Sequence, residues 1–402
     1  MVETKNTKPF YNSGIPYGWK LMELGELFAF KNGVNAGKES YGKGVKFINV
    51  MEVIYHDYIF PEMIPGTVQI SEEQKELYLV KDGDVLFNRT SETAKEIGLS
   101  AVYSGNDDVV FGGFVIRGRP IINALDNTFK RYCFRSNLVR NQIIKGGQGA
   151  VRTNIGQGDL SQVKIVLPPL QEQKAIAALL GKWDEAITKT ENLVIQKEHR
   201  KKWLMQNLLT GKMRLKGFSG EWKELRLCKV ADIKKGEQLN KIELEKDDEY
   251  PAINGGISPS GYTNKWNTEA NTITISEGGN SCGFINFISK RFWSGGHCYS
   301  LLNLRNSIKR EFLFQALKFN EGKIMKLRVG SGLPNIQMKA ISDYKLSIPS
   351  IEEQTAIAQV LQAADKELQL LKAKTDKLKE QKKGLMQVLL TGKKRLNLNL
   401  QD

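Results

Sequence analysis

The sequence predicts an α+β protein made of two globular regions, each followed by a long helix. The two helices are expected to pack as an antiparallel coiled coil with approximate two-fold symmetry. Three observations carry this. A segment near the middle recurs at the C-terminus, both copies show heptad-spaced apolar residues, and the stretches between them mix strand-like runs with turns.

The repeat comes first because the other elements are placed by it. KKWLMQNLLTGKMRL at 201–215 returns as KKGLMQVLLTGKKRL at 382–396, with twelve of fifteen positions identical, too many for chance. The same offset of 181 aligns EQKAIAALL at 172–180 with EQTAIAQVL at 353–361, Asn154-Ile155 with Asn335-Ile336, and Pro168 with Pro349. A second alignment, at an offset of 203, opens each half and matches Trp19 with Trp222 and Gly33 with Gly236. The second globular region is therefore 22 residues shorter than the first. The halves share their edges and differ in their middles.

The expected boundaries follow: a first globular domain at 1–168, a helix and connector at 169–215, a second domain at 216–349, and a final helix and tail at 350–402. In the first helix the seam runs through Ile176, Leu180, Trp183, Ile187, Thr190, Val194, Leu204 and Leu208, with Lys197 and Lys201 as exceptions. In the second it runs through Ile357, Leu361, Ala364, Leu368, Leu371, Thr375, Leu378, Leu385 and Leu389, with Lys382 as the exception. No proline interrupts either helix. Gly211 and Gly392 suit the left-handed conformation that ends a helix. About 38 residues give a rod of roughly 57 Å, the length of roughly 17 base pairs of DNA. One seam cannot be buried alone, so each helix must pack on the other copy, on another subunit, or on both. Lys201, Lys202, Lys382 and Lys383 are either solvated surface or contacts to an anionic partner.

In the globular regions VKFINV, DVLFNR, NTITISEGG and CGFINFI read as strands, while 126–144 and 310–319 read as helical. Pro65-Gly66 and Asp82-Gly83 mark turns between them.

The 402 residues are 41% hydrophobic and 26% charged, which is a folding composition rather than a disordered one. The net charge of +15 points to an anionic partner, with nucleic acid first. MVETKNTKPF has no apolar signal segment, and no run of about 18 apolar residues occurs, so no membrane partner is expected. Four cysteines without paired spacing suit a reduced cytoplasm.

The candidate DNA contacts lie in loops. Asn88, Arg89, Thr90 and Ser91 follow a strand and offer an amide, a guanidinium and two hydroxyls, groups able to read base edges. Arg152 and Asn154 close a glycine-rich turn whose counterpart is VGSGLPNI at 329–336. Ser258, Tyr262, Asn264, Lys265 and Trp266 occupy a loop region of the second half.

No catalytic arrangement emerges. GGQGAVRTNI lacks G-x-G-x-x-G, and Gly211-Lys212 lacks the rest of a P-loop. Cys282, His297 and Cys298 lack zinc spacing, and His56 and His199 have no partners in sequence. Ser331 is not in a nucleophile elbow, and Asp107-Asp108 and Asp247-Asp248-Glu249 read as surface turns. Two rival readings stay open on the residues alone: a coiled-coil adaptor, and a methyltransferase or nuclease fused to its own reader.

The paired segments PLQEQKAIAALL…LMQNLLTGK and SIEEQTAIAQVL…LMQVLLTGK, each after a divergent domain, resemble the specificity subunit of type I restriction–modification enzymes. LFNRTS at 86–91 and ISEGG at 275–279 also look like motifs of its recognition domains. The resemblance implies a non-catalytic chain that holds no cofactor. Each domain would read half of a bipartite, asymmetric double-stranded target, and the helices would set the gap. It further implies two modification subunits using S-adenosylmethionine to methylate adenine N6, and restriction subunits using ATP and Mg.

Overall fold

The computed structural model describes residues 14–149, 152–245, 248–330, 332 and 334–396. Ala150 and Val151 of the first glycine-rich turn, Ser331 and Leu333 of its counterpart, and Asp247 lie outside the described residues. The chain divides into two compact units. One gathers the chain up to Lys189 together with the chain from Thr375; the other is Thr190–Lys374. The two long helices, Leu170–Leu208 and Ile351–Leu389, thus contribute to both units.

In the first unit a five-stranded sheet has the order Phe28–Asn32, Val115–Pro120, Val85–Asn88, Ser100–Tyr103, Tyr58–Ile59. All neighbours are antiparallel except the last pair. A three-stranded sheet places Tyr41–Ile48 between Thr67–Val68 and Val109–Phe111. Lys20–Glu23 pairs antiparallel with Lys164–Leu167 and closes the domain at the foot of the helix. The segment expected to be one helix at 126–144 is two, Asn127–Cys133 and Asn137–Gly146. Ser136 caps the second, its Oγ accepting from the Val139 N–H. A serine at that position suits a helix start better than a helix interior.

The second unit repeats the plan. Its main sheet runs Asp232–Lys235, Cys298–Leu302, Thr272–Ser276, Ile285–Ile288, and the small sheet runs Gly261–Thr263, Tyr250–Ile253, Trp293–Ser294. Lys223–Arg226 pairs with Lys345–Ile348 as the closing ribbon. Both small sheets combine one antiparallel and one parallel pair. The Gly112 N–H donates to Ile48 O, as the Gly295 N–H does to Ile253 O. Most of the length difference lies after this point. The first unit reaches Asn88 from Ile48 through the helices Val50–Tyr55 and Glu72–Tyr78 and the extra edge strand Tyr58–Ile59. The second makes the matching passage, Ile253 to Ser276, in far fewer residues.

The seam residues are where the periodicity put them. Ile176, Leu180, Ile187, Leu208, Ile357, Leu361, Leu368 and Leu389 are buried, and Trp183, Leu204, Leu371, Leu378 and Leu385 are half-buried. Within the second unit Lys201 pairs with Asp365, Lys197 with Glu367 and Glu198 with Lys372, so the helices run antiparallel there. Within the first, Asp184 meets Lys382, and Leu389 joins the core that holds Ile176 and Leu180. Lys197, Lys201 and Lys382, which interrupt the heptads, are thus used in ion pairs at the helix–helix boundary. Leu361 is fully buried in the second core. Leu361→Ala is expected to cost about 3 kcal/mol, the ordinary price of a core cavity, measurable by urea denaturation.

Each domain is fastened to its helix by the same clasp. Trp19 Nε1 donates to Glu172 (3.0 Å), and Arg395 holds both oxygens of that carboxylate at 2.6 and 2.7 Å. In the other unit Trp222 Nε1 donates to Glu353 (3.2 Å), and Arg214 holds both its oxygens at 2.6 Å. The arginine lies over the tryptophan ring at 5.6 and 5.7 Å, respectively. Tryptophan and glutamate come from a domain and the helix that follows it; the arginine comes from beyond the end of the other helix. Gln173 and Gln354 add a second matched fastening. Each amide donates to the carbonyl of a proline before its helix and to a domain carbonyl, and accepts from a domain N–H.

Candidate nucleic-acid interface

The site in the first unit is assembled from three separate segments. Strand Val85–Asn88 is followed by Arg89, whose N–H donates to Phe114 O and whose carbonyl accepts from the Ile155 N–H. Thr90–Ser91 pairs antiparallel with Thr153–Asn154. This brings together the two groups that sequence reasoning had singled out separately, 88–91 and 152–154. Thr90 Oγ1 donates to Asn154 Oδ1 at 2.6 Å, and Asn154 Nδ2 to Arg152 O at 3.2 Å.

Burial separates the roles of these residues. Asn88 is fully buried; its Nδ2 donates to Glu96 O and its Oδ1 accepts from the Thr90 N–H. Ser91 is buried and donates to Glu96 Oε2 at 2.8 Å. Both side chains shape the turn from inside. Arg89 is half-buried, and its guanidinium donates to Gly113 O at 3.2 Å. Arg152 and Asn154 are exposed. Arg152 pairs with Glu92 at 3.3 Å on an open surface, an interaction weak enough for a phosphate to displace.

The second unit has the same scaffold with other side chains. The Glu277 N–H donates to His297 O and its carbonyl accepts from the Ile336 N–H, the two bonds that Arg89 makes. Gly278 bridges to Asn335 as Thr90 pairs with Asn154. Gly295-Gly296-His297 stands where Gly112-Gly113-Phe114 stands. The Glu277 carboxylate takes Lys235 Nζ and the Tyr299 hydroxyl (3.1 Å) on one oxygen and faces His297 Nδ1 (3.3 Å) with the other. Burial raises its pKa, but Lys235, Tyr299 and His297 together outweigh that, and the group is held below the usual glutamate range.

Ser258, Tyr262, Asn264, Lys265 and Trp266 sit elsewhere, along the small sheet and the loops flanking its strand Gly261–Thr263, and all five are exposed. Lys265 pairs with Glu243 at 2.9 Å, and Arg291 stacks over Trp266 at 4.3 Å. Sequence reasoning thus marked different places in the two halves. It gave Phe114 and Lys235 no role and weighed His297 only as a zinc ligand. Glu277 lies within ISEGG, the short run set beside LFNRTS in the sequence, and the aligned Asn154 and Asn335 fix its register against Arg89 through the strand pairing.

Two glycines make this edge possible. The Gly33 N–H donates to Val115 O, and the Gly236 N–H to Cys298 O. A Cβ on Gly33 would lie 2.2 Å from Gly112 O, and one on Gly236 2.3 Å from Gly295 O. Gly33→Ala or Gly236→Ala must therefore push apart two backbones at the edge. Each is expected to cost about 2 kcal/mol, read by thermal unfolding, and to weaken DNA binding by its own unit.

Among the described residues no group of three His, Cys, Asp or Glu is placed to hold a metal ion. No helix among them is long and apolar enough to cross a membrane.

Two units of the same α+β plan, each built on parts of both long helices and each carrying a loop-built edge, define a duplicated recognition protein. The family model for the type I restriction modification DNA specificity domain matches residues 16–197 and again 219–380. A putative type I restriction enzyme specificity subunit of Methanocaldococcus jannaschii is 26% identical over 95% of both chains. The crystal structure of a type I restriction–modification S subunit from M. genitalium matches 95% of this chain and 98% of its own, with a TM-score of 0.61 at 19% identity. A chain from a structural study of type I complex assembly and conformational transition matches 94% and 99%, with a TM-score of 0.63 at 18% identity. The chain belongs to the type I restriction–modification specificity family. Its members are non-catalytic, sequence-specific DNA-recognition components that direct methyltransferase and nuclease subunits.

Proposed function

We propose that this chain reads a bipartite, asymmetric double-stranded DNA target in the cytoplasm, with one half-site for each globular region. The observation that carries this reading is the pair of matched edges with unlike side chains: Arg89 and Thr90 in one unit, Glu277 and Gly278 in the other. A common backbone gives both units the same way of approaching a groove, and different side chains give different base preferences. Arg89, Thr90, Arg152 and Asn154 face DNA in the first unit, with Asn88 and Ser91 shaping the loop. Ser258, Tyr262, Asn264, Lys265 and Trp266 contribute in the second. The seam residues hold the helices together while their outer faces take two modification subunits. Those subunits carry S-adenosylmethionine and methylate adenine N6; restriction subunits add ATP- and Mg-dependent cleavage. The helices hold the two half-sites a set distance apart.

Methylome sequencing of a host carrying the complete system tests this directly. The expected result is one motif with two unequal halves and a fixed gap. A single contiguous or palindromic motif would overturn it.

A further inference from the structure

Resting on the DNA-reading assignment above, we propose that Lys235 and His297 are specificity-determining residues for the second half-site, and that Glu277 is the positioning residue that aims them. Neither exposed side chain was marked by its sequence context. Each is placed by the scaffold shared between the units.

The equivalence rests on backbone geometry. His297 and Phe114 each accept, through the carbonyl, from the N–H of the residue just after a strand of the main sheet, Glu277 after Thr272–Ser276 and Arg89 after Val85–Asn88. Both follow a pair of glycines, and both side chains are exposed, Phe114 by 55% and His297 by 61%. Lys235 ends strand Asp232–Lys235, which is hydrogen-bonded to the strand that starts one residue after His297. Three chain segments therefore converge on Glu277.

Charge explains the division of labour. A carboxylate beside DNA phosphates is repelled unless neutralised, so Glu277 is poorly suited to meet the duplex directly. Its side chain is only 13% exposed, and Lys235, His297 and the Tyr299 hydroxyl surround it. Tyr299 is itself buried, and its hydroxyl, 3.1 Å from the carboxylate and 3.0 Å from Ile336 O, shares its single proton between the two, which anchors the carboxylate on the inner side. The His297 N–H donates to Asn254 Oδ1 at 3.1 Å, which fixes the backbone beneath the ring. With its Nδ1 turned to Glu277, the ring leaves Nε2 for a partner outside the protein. A neutral ring then presents an acceptor suited to an exocyclic amino group, and the Lys235 ammonium supplies donors suited to N7 or O6 of a purine. Holding two polar side chains with one buried anion reduces the entropy lost when they meet a base edge.

The test uses the whole chain assembled with its modification subunits, and a DNA library whose first half-site is fixed and whose second is randomised. Methylated products are sequenced. Wild type should enrich one second half-site. His297→Ala and Lys235→Ala should each relax one or two adjacent base pairs of it by about 10-fold or more, and Glu277→Gln should relax the same positions. Glu277→Asp, which keeps the charge, should retain part of the preference. Lys234→Ala, beside the cluster but paired with Glu237, should lower methylation evenly over all sequences. The fixed first half-site reports in every case that the assembly is folded and active. An unchanged second motif in His297→Ala and Lys235→Ala, or an even loss at every position, overturns the inference while leaving the DNA-reading assignment intact. A wild-type assembly that enriches no second motif overturns that assignment itself.

Discussion

Exchange of residues 221–349 for the matching region of a related specificity subunit is expected to rewrite one half-site and leave the other, and the gap, unchanged. The cut points are physically sound. Lys223–Arg226 and Lys345–Ile348 pair with each other, so both ends of the insert leave from one ribbon. The insert must bring its own equivalent of Trp222, because Glu353 waits for that indole N–H. Each wrong base pair costs about 1–3 kcal/mol in a protein–DNA complex. Three or four altered pairs therefore shift preference from old to new sequence by roughly a thousand-fold or more. Methylome sequencing of hosts carrying parent and exchanged chains reads both halves at once. A change in both halves would show that the domains do not read independently. Lengthening both helices by four residues adds about 6 Å, and the expected result is a longer gap between unchanged half-sites.

The second large effect concerns stability. Glu353 is buried, and among the groups holding it Arg214 makes two charged hydrogen bonds. Arg214→Ala would leave a buried carboxylate with Trp222 as its remaining indole donor. Breaking one side of such a pair is strongly destabilising, mostly because the stranded Glu353 charge is left without compensation. Arg214→Ala should therefore unfold the second unit at markedly lower urea, with Arg395→Ala acting on the first unit. The Arg395 effect should be smaller, because that arginine is 41% exposed and water screens it. Adding Glu353→Gln to Arg214→Ala removes the stranded charge and should recover a large part of the loss. No recovery in the double variant would show that Arg214 acts through packing on Trp222 rather than through charge.

The clasp also shows what could be read in advance. Trp19, Trp222, Glu172, Glu353, Arg214 and Arg395 all lie inside the repeated stretches, so their equivalence was visible in one dimension. That each arginine closes the clasp of the domain that does not precede its helix was not visible. An antiparallel helix pair carries the end of one helix to the start of the other, and only the packed chain reveals it. The seam was legible because heptad spacing is a local property: every residue it named is buried or half-buried. Lysines that broke the pattern were ambiguous in sequence, and their acidic partners lie far along the chain.

The loops divide in the same way. A strand followed by Asn-Arg-Thr-Ser announces polar chemistry, but periodicity does not say which way an asparagine turns. Packing turned Asn88 and Ser91 inward, where Glu96 occupies their hydrogen bonds, and joined Thr90 to Asn154 across 64 positions of chain. In the second unit Gly278 takes the place of Thr90, so only the short runs LFNRTS and ISEGG mark the two edges in sequence, and their register comes from strand pairing.

The duplication, the two long helices, the divergent middles and the family were determined by the sequence alone. They rest on identity at fixed offsets and on local spacing, which survive without coordinates. The composition of each unit from both helices, the common reading edge, and the cluster of Lys235, Glu277 and His297 were decided by the tertiary structure. Those features join residues whose separation along the chain is large and unequal in the two halves. Only backbone hydrogen bonds and close packing bring such residues together.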